Sequence, residues 1–304
     1  MKDDVVASNR FFAAGLDCVK PAPFEYYRAD DVRGAVDLLA KLGEDAKLIA
    51  GGQSLVPMMN FRLARPSALV DLGRVDALRY IRREGNALRI GALTTHHLVE
   101  TASGLSDGFA ILPRAARWIG HHAIRTRGTF GGSLAHADPT AEWCLIALLL
   151  DAEIVTEHPQ GQRRIPARQF FQGIFTTALR PDEVIVEVVF PEPAPHAALT
   201  EFARRKGDFA IVAAAVSLDV SGNTCRSAKV ALGGVAATPI RIADAEKLLA
   251  GARIGPDAFA EAGEVASRVI EPGNDAHASA SYRRTLARVL VVRALQEAVA
   301  NSAG

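Results

Sequence analysis

The hydrophobic pattern in the first third of the chain predicts a small parallel α/β unit. An extended segment at 24–27 is followed by an aspartate that can cap a helix, whose apolar residues recur at helical spacing until Gly43. Two apolar runs, 48–50 and 68–72, have the length of buried strands. The segment 55–65 lies between them and shows no clear period, so no element is predicted there.

The middle third alternates predicted hairpins with predicted helices. Each hairpin is centred on a glycine-containing turn, and each helix has an apolar inner face. Strands are predicted at 80–83, 88–91, 152–156, 163–166 and 182–190. Helices are predicted from Thr94 or Thr95 to Glu100, within 105–118, and at 140–150. The segment 120–133 between the last two helices is polar and contains the second glycine pair, and no helix or strand is predicted there.

The last third has the pattern of an antiparallel sheet covered by helices. Strands are predicted at 199–205, 211–220 and 225–232, and helices at 243–249, 256–270 and 280–299. Prolines 191 and 193 mark a change in composition, so we expect one domain over 21–190 and another over 195–304. Residues 1–20 have no clear period and are expected to form an N-terminal extension. The predicted fold class is therefore α+β.

Composition narrows the class of protein without naming a function. The chain has 304 residues, 49% of them hydrophobic, and a formal net charge of +1, which gives no indication of nucleic-acid or anionic-membrane binding. Its three cysteines are far apart and form no metal-binding spacing. The acidic start lacks the apolar core of a signal peptide, so we expect a cytoplasmic protein.

Two glycine pairs carry the chemistry that the pattern alone suggests. Ala50-Gly51-Gly52-Gln53-Ser54 follows a predicted strand, and Thr129-Phe130-Gly131-Gly132-Ser133 lies about eighty residues later, each beside a hydroxyl group. Glycine allows a sharp turn or a close approach, and the freed N–H groups can form a concave anion site. Two converging loops could hold a pyrophosphate with neutral donors. A nearby acid such as Asp138 or Glu142 could accept hydrogen bonds from ribose hydroxyls.

Five motifs in order resemble the FAD-binding medium subunits of the molybdenum hydroxylases, a group that includes carbon monoxide dehydrogenase and xanthine dehydrogenase. They cover nearly the whole chain: Ala50–Pro57, Gly128–Pro139, Arg205–Ala210, Leu232–Ala236 and Ser281–Arg284. The resemblance implies a p-cresol-methylhydroxylase-type (PCMH-type) FAD-binding domain made of two α/β subdomains. A C-terminal domain with a three-stranded antiparallel sheet and helices would follow, with FAD bound non-covalently between the domains.

The resemblance also implies which residues contact FAD. The first pyrophosphate loop would be Leu48, Ile49, Ala50, Gly51, Gly52, Gln53, Ser54 and Leu55, and the second Thr129, Gly131, Gly132 and Ser133. Glu142 stands where the family usually has Asp, on the adenosine side, and Ser133 stands where many relatives have Asn. Ile119 and Ile185 would pack on the cofactor, and the basic run 204–206 would reach the flavin or the edge of the cleft.

The function implied by this resemblance is electron transfer within a larger oxidoreductase. A large partner would hold a molybdenum cofactor, and a small partner would hold two [2Fe–2S] clusters. This chain would accept electrons from those clusters and pass them to an external acceptor: a quinone, NAD or oxygen. The expected assembly is a dimer of heterotrimers, with any contact to the inner membrane face made through the complex. No catalytic acid or base of its own, no metal site and no nucleic-acid partner are expected.

Other functions were weighed against this one. Neighbouring histidines at 96–97 and 121–122 suggest a metal site, but adjacent side chains point in different directions and no carboxylate or cysteine spacing completes a ligand set. Neither Ser54 nor Ser133 lies in a Gly-x-Ser-x-Gly motif, which disfavours a hydrolase. A stand-alone FAD-dependent oxidoreductase and a nucleotide-binding module without turnover remain as alternatives.

Overall fold

A computed structural model describes residues 20–301, so the predicted extension lies outside the described residues except for Lys20. The first unit is a three-stranded parallel sheet with strand order β1-β3-β2. Its elements in chain order are β1 (Glu25–Arg28), α1 (Val32–Leu42), β2 (Ala46–Ile49), α2 (Leu55–Asn60) and β3 (Ala68–Asp71). The parallel α/β unit expected from the hydrophobic pattern is therefore present.

Helix α1 shows why the local signals in this unit are reliable. The Asp31 carboxylate caps the helix by accepting a 2.7 Å hydrogen bond from the N–H of Gly34. Gly43 ends the helix with a φ of 81°, and its N–H donates to the carbonyl of Leu39. Between the caps, Ala35, Val36 and Leu39 are buried against the sheet.

The second unit is built on a five-stranded sheet with strand order β4-β5-β10-β6-β7. Its strands are β4 (Ile81–Glu84), β5 (Ala87–Gly91), β6 (Glu153–His158), β7 (Gly161–Pro166), the small pair β8 (Phe171–Gly173) and β9 (Thr176–Thr177), and β10 (Val184–Phe190). Its helices are α3 (His96–Thr101), α4 (Ser106–Phe109), α5 (Ile111–Ala116), α6 (His122–Arg125), α7 (Phe130–His136), α8 (Glu142–Leu149) and α9 (Ala167–Phe170).

Strand β10 joins the first two units. Every residue of β10 is buried, because both faces of the sheet are covered. Val184 and Val186 face the core that contains α1, whereas Val188 and Phe190 face the core that contains α8. One strand therefore holds the parallel unit and the helical layer in a common frame.

Three helical predictions in this region were incomplete or wrong. The single helix predicted within 105–118 is interrupted, because Gly108 has a φ of 85° and a Cβ there would lie 2.3 Å from the Cβ of Pro193. Helix α2 was not predicted, since its apolar residues follow no helical spacing. No element was predicted over 120–133, which contains α6 and the start of α7.

The C-terminal unit is an antiparallel sheet with strand order β11-β12-β13-β14, packed against helices. Its elements are β11 (His196–Phe202), β12 (Val212–Ser221), β13 (Thr224–Gly233), β14 (Ile240–Arg241), α10 (Ala243–Leu249), α11 (Pro256–Val269) and α12 (Ala280–Ala300). The sheet has a fourth strand where three were expected, because β14 is only two residues long and leaves no periodic signal. No helix between residues 20 and 301 is both long and apolar enough to cross a bilayer.

Arg283 is the buried polar anchor of the C-terminal unit. Its side chain lies on α12, and the residue is only 7% exposed. The guanidinium donates to the carbonyls of Ile211 and Gly234, at 2.5 and 2.7 Å, and forms a 2.5 Å ion pair with Asp275. One charged group therefore ties α12 to the residues that precede β12 and follow β13, at one end of that strand pair, and removing it would leave two carbonyls without this donor.

Replacing Arg283 should destabilise the protein strongly. We expect Arg283→Met to lower the free energy of unfolding by about 1–3 kcal/mol, because the carbonyls of Ile211 and Gly234 lose a charged donor, whereas the exposed Asp275 keeps its two backbone donors. Arg293→Met is the matched control, since Arg293 is exposed on the same helix. Urea unfolding monitored by circular dichroism measures both variants. Equal midpoints for the two variants would contradict this role.

Candidate functional site

A cleft of about 720 Å³ opens beside the carboxyl ends of strands β2 and β3. In open parallel sheets this edge is the usual place for a ligand. The lining combines the first glycine loop with parts of the second and several side chains from other elements: Tyr26, Ile49, Ala50, Gly51, Gly52, Gln53, Val56, Pro57, Asp71, Gly73, Arg79, Leu93, Thr95, Thr126, Arg127 and Thr129.

The first glycine loop presents unpaired backbone donors to this cleft. Gly52 has a φ of 71°, which favours glycine, and its carbonyl accepts from the N–H of Val56. The Gln53 side chain turns back and donates to the carbonyl of Gly51 at 2.9 Å. Within residues 20–301, no protein acceptor is found for the N–H groups of residues 51–54. These donors are therefore available to an anion.

The two glycine pairs lie against each other. A Cβ on Gly51 would lie only 2.1 Å from the carbonyl oxygen of Arg127, just before the second pair. A Cβ on Gly132 would lie 4.0 Å from the Cβ of Ala50. Close approach, rather than a positive φ, is therefore the reason for glycine at position 51. The juxtaposition that the sequence suggested is present.

The second loop differs from the first in its donors. Three of its N–H groups are already paired: Phe130 donates to Thr94, Gly131 donates to Ala92, and Gly132 donates to the hydroxyl of its own N-cap, Thr129. We expected both loops to offer backbone N–H groups, and for these three residues that expectation was wrong. The side-chain donors of this loop are the hydroxyl groups of Thr129 and Ser133.

His96 supports the second loop from the core. Its backbone N–H donates to the carbonyl of Gly128, and its ring packs so closely on Gly128 that a Cβ there would lie 2.6 Å from Nε2. Its Nδ1 accepts a 2.9 Å hydrogen bond from the Trp143 indole. Burial lowers the pKa of His96 to about 4, so the ring is neutral at pH 7.

The histidine pairs do not form a metal site. The ring of His97 points away from that of His96 and meets the ring of His122 edge-on, with centroids 5.0 Å apart. Among the described residues, no group of three or more metal-ligating side chains comes together.

Two arginines at the cleft were not identified as site residues. Arg79 is held by hydrogen bonds to Asp76 and to the carbonyl of Gly73. Arg127 is exposed at the cleft and forms no recorded ion pair or hydrogen bond through its side chain within the described residues. Arg127 could have been identified from the sequence, because it lies two residues before Thr129. Arg79 could not, because only the fold brings it to the cleft.

The other predicted site residues occupy varied positions. Leu48 packs against the core that contains α1. Ser54 is the N-cap of α2 and Leu55 is its first residue, and neither lines the cleft. Gly131 is buried beneath Ala92. Ile119 packs on the central core and Ile185 is part of it, and neither lines the cleft. Glu142 is the first residue of α8, a helix that packs on the C-terminal sheet, and it does not line the cleft.

Comparisons with protein-family models give two matches. Residues 22–193 match the FAD-binding domain in molybdopterin dehydrogenase. Residues 197–298 match the CO dehydrogenase flavoprotein C-terminal domain. The two matches together span almost all of the described chain.

Individual proteins are similar over nearly their full length. The 6-hydroxypseudooxynicotine dehydrogenase complex subunit alpha of Paenarthrobacter nicotinovorans is 44% identical, with 92% of this chain and 96% of the relative covered. A solved carbon monoxide dehydrogenase from Hydrogenophaga pseudoflava matches with a TM-score of 0.89 and 38% identity, covering 92% of this chain and 99% of that one. Quinoline 2-oxidoreductase from Pseudomonas putida 86 matches with a TM-score of 0.89 and 37% identity, over 93% and 99%.

A side chain at position 51 should disrupt the cleft. We expect Gly51→Ala to weaken FAD affinity at least about 10-fold, which corresponds to ~1.4 kcal/mol, because the new Cβ would force the two loops apart. Gly104→Ala is the control, since a Cβ there meets no atom within 4 Å. Flavin content after purification and fluorescence titration with FAD measure the effect. Wild-type affinity in Gly51→Ala would refute the close-approach argument.

Acid should weaken the support that His96 gives to the second loop. The unfolded chain binds a proton near pH 6.5 and the folded chain only near pH 4, so stability is lost as pH falls through this window. Between pH 7 and pH 5 we expect this one group to cost about 2 kcal/mol. Urea unfolding of the wild type and His96→Gln at both pH values isolates the effect, because the variant lacks it. Equal losses in both proteins would count against a neutral, buried His96.

Proposed function

The chain belongs to the FAD-binding medium subunits of the molybdenum hydroxylase family, a group of oxidoreductase subunits, and from this premise we propose an electron-transfer role. It would receive electrons from the [2Fe–2S] clusters of a small partner subunit and pass them to an external acceptor. FAD, when bound, supplies the redox chemistry. The protein contributes binding, orientation and electrostatics.

The observation that carries this proposal is the donor set at the first glycine loop. The N–H groups of residues 51–54 have no protein acceptor within residues 20–301, and residues 51–53 line the same cleft as Arg127 and Thr129. A pyrophosphate needs donors of this kind, and the guanidinium adds a charge that suits a dianion. The fit to FAD is therefore good at the pyrophosphate, and a Cβ at Gly51 would remove it.

Each loop would have its own task. The first loop would bind pyrophosphate oxygens through its N–H groups, and the second would add the hydroxyls of Thr129 and Ser133. Arg79 and Arg127 would balance the negative charge. Glu142 would accept from the adenosine half, as its match to the family's acidic position implies. Ile119 and Ile185 would act on the cofactor only indirectly, by shaping the wall behind it.

The partners would supply the chemistry that this chain does not. The relatives are named as subunits or medium chains of dehydrogenases, which supports a multi-subunit assembly. One [2Fe–2S] cluster needs four ligands, usually cysteines, whereas the whole chain has three cysteines, far apart in sequence. We propose a large molybdenum-cofactor subunit, a small iron–sulfur subunit and a dimer of such heterotrimers. The substrate would be chosen by the large subunit.

Purification of the native complex tests the proposed role. We expect the chain to co-purify with two other subunits and to carry about one FAD, one molybdenum and four irons per copy, since two [2Fe–2S] clusters hold four irons. Metal analysis and the absorption spectrum measure this.

The two alternatives give different results in the same experiment. A stand-alone oxidoreductase would purify alone with FAD and turn over without iron or molybdenum. A nucleotide-binding module would purify without flavin colour and without turnover. Either result would contradict the electron-transfer role.

A further inference from the structure

The turn that closes α2 carries two exposed apolar side chains. Phe61 and Leu63 are 70% and 76% exposed, the highest values among the large hydrophobic residues of the described chain. Phe61 is the C-cap of α2, and Leu63 lies two residues further on. Exposed apolar side chains are common singly, but neighbouring ones with this exposure are typical of a docking surface. Residues 61–63 are called the α2 turn below.

Backbone hydrogen bonds hold the α2 turn in its conformation. The N–H of Arg62 donates to the carbonyl of Met59, and the N–H of Leu63 donates to that of Met58, both at 2.9 Å. Arg62 has a φ of 56°, a left-handed conformation that residues other than glycine adopt only where contacts impose it. The exposure of Phe61 and Leu63 is therefore built into the turn.

The described chain begins beside this turn. Nε of Arg62 donates to the carbonyl of Lys20 at 3.4 Å, and Lys20 is the first described residue. The 19 residues that precede Lys20 therefore join the fold at the α2 turn. Nine residues can span at most about 30 Å, whereas a six-residue helix such as α2 is only about 9 Å long. Chain length thus allows residues 11–19 to reach the whole turn.

The composition of the N-terminal extension complements the turn. Its main apolar run is Phe11-Phe12-Ala13-Ala14-Gly15-Leu16, which ends four residues before Lys20. A segment of 19 residues is too short to bury such a run in a core of its own. Contact between this run and the side chains of Phe61 and Leu63 would remove both apolar surfaces from water.

Charges beside the two apolar surfaces also match. Arg62 and Arg65 are exposed, and within residues 20–301 neither forms an ion pair. Asp17 directly follows the apolar run, on the side nearer to Lys20. Opposite charges at the rim of a contact add little affinity but favour one orientation of the two surfaces.

We propose that residues 11–16 of the N-terminal extension dock on the α2 turn of the same chain and cover Phe61 and Leu63. Asp17 then lies beside Arg62 and Arg65. Helix α2 also carries Val56 and Pro57, which line the cleft, so the docked segment supports one wall of the cleft from outside. The inference does not depend on which cofactor the cleft binds.

Photo-cross-linking of the full-length chain tests the contact. The probe is p-benzoyl-phenylalanine in place of Phe12, because it keeps an aromatic ring at that position. We expect cross-links to residues 56–65, mapped by mass spectrometry. A mixture of isotope-labelled and unlabelled chains separates cross-links within a chain from those between two copies. Phe61→Ser with Leu63→Ser should lower the yield at least about 5-fold, because the apolar contact is lost, and Leu98→Ser, an exposed position on α3, should not.

Hydroxyl-radical footprinting provides the reciprocal test and leaves the folded unit unmutated. Phe11→Ser with Phe12→Ser should speed the oxidation of Phe61 and Leu63 at least about 3-fold, because covered side chains become open to water. Val5→Ser with Val6→Ser is the matched control, since it changes the extension outside the run.

Three results would overturn the proposal. The first is equal oxidation of Phe61 and Leu63 in the wild type and in the variant with serine at positions 11 and 12. The second is cross-linking at the α2 turn only between two copies, which would make the turn a homodimer contact. The third is cross-linking of position 12 only to a partner subunit in the native complex, which would make the extension part of an interface between subunits.

Discussion

The contact between the two glycine loops is the constraint on which the site depends. The carbonyl of Arg127 occupies the space that a side chain at position 51 would fill. The first loop can therefore turn its N–H groups into the cleft only while the second loop supports it from behind. An anion site made of backbone donors is as precise as the segments that hold those donors in place.

The support extends from the second loop into the core. Gly128 rests on the ring of His96, which is oriented by its hydrogen bond from Trp143. Trp143 is buried and stacks on Phe130, the first residue of α7. At the second loop, the N–H groups of Phe130, Gly131 and Gly132 form hydrogen bonds within the protein and hold the loop in place. At the first loop, the N–H groups of residues 51–54 have no acceptor within residues 20–301. That difference in donors is a physical reason for two loops with similar sequences to play different parts.

Local signals in the sequence were sufficient for much of this arrangement. Aspartate and glycine at the ends of α1 define that helix without tertiary information, and three hairpin turns located six of the described strands. Contacts distant in sequence explain the failures: Gly108 meets Pro193, which breaks a helix that apolar spacing alone favours. Arg79 carries no local motif, and only the fold brings it to the cleft. The glycine pairs were found because close approach of two backbone segments requires glycine, and glycine can be read directly from the sequence.

Amide hydrogen exchange of the full-length chain, with and without saturating FAD, tests the central claim most directly. The claim is that the free N–H groups of residues 51–54 bind the pyrophosphate. Exchange at these amides should be fast in the flavin-free chain, since they have no protein acceptor, and should slow strongly when FAD binds. Bound FAD with unchanged exchange at residues 51–54 would contradict the claim and place the pyrophosphate elsewhere.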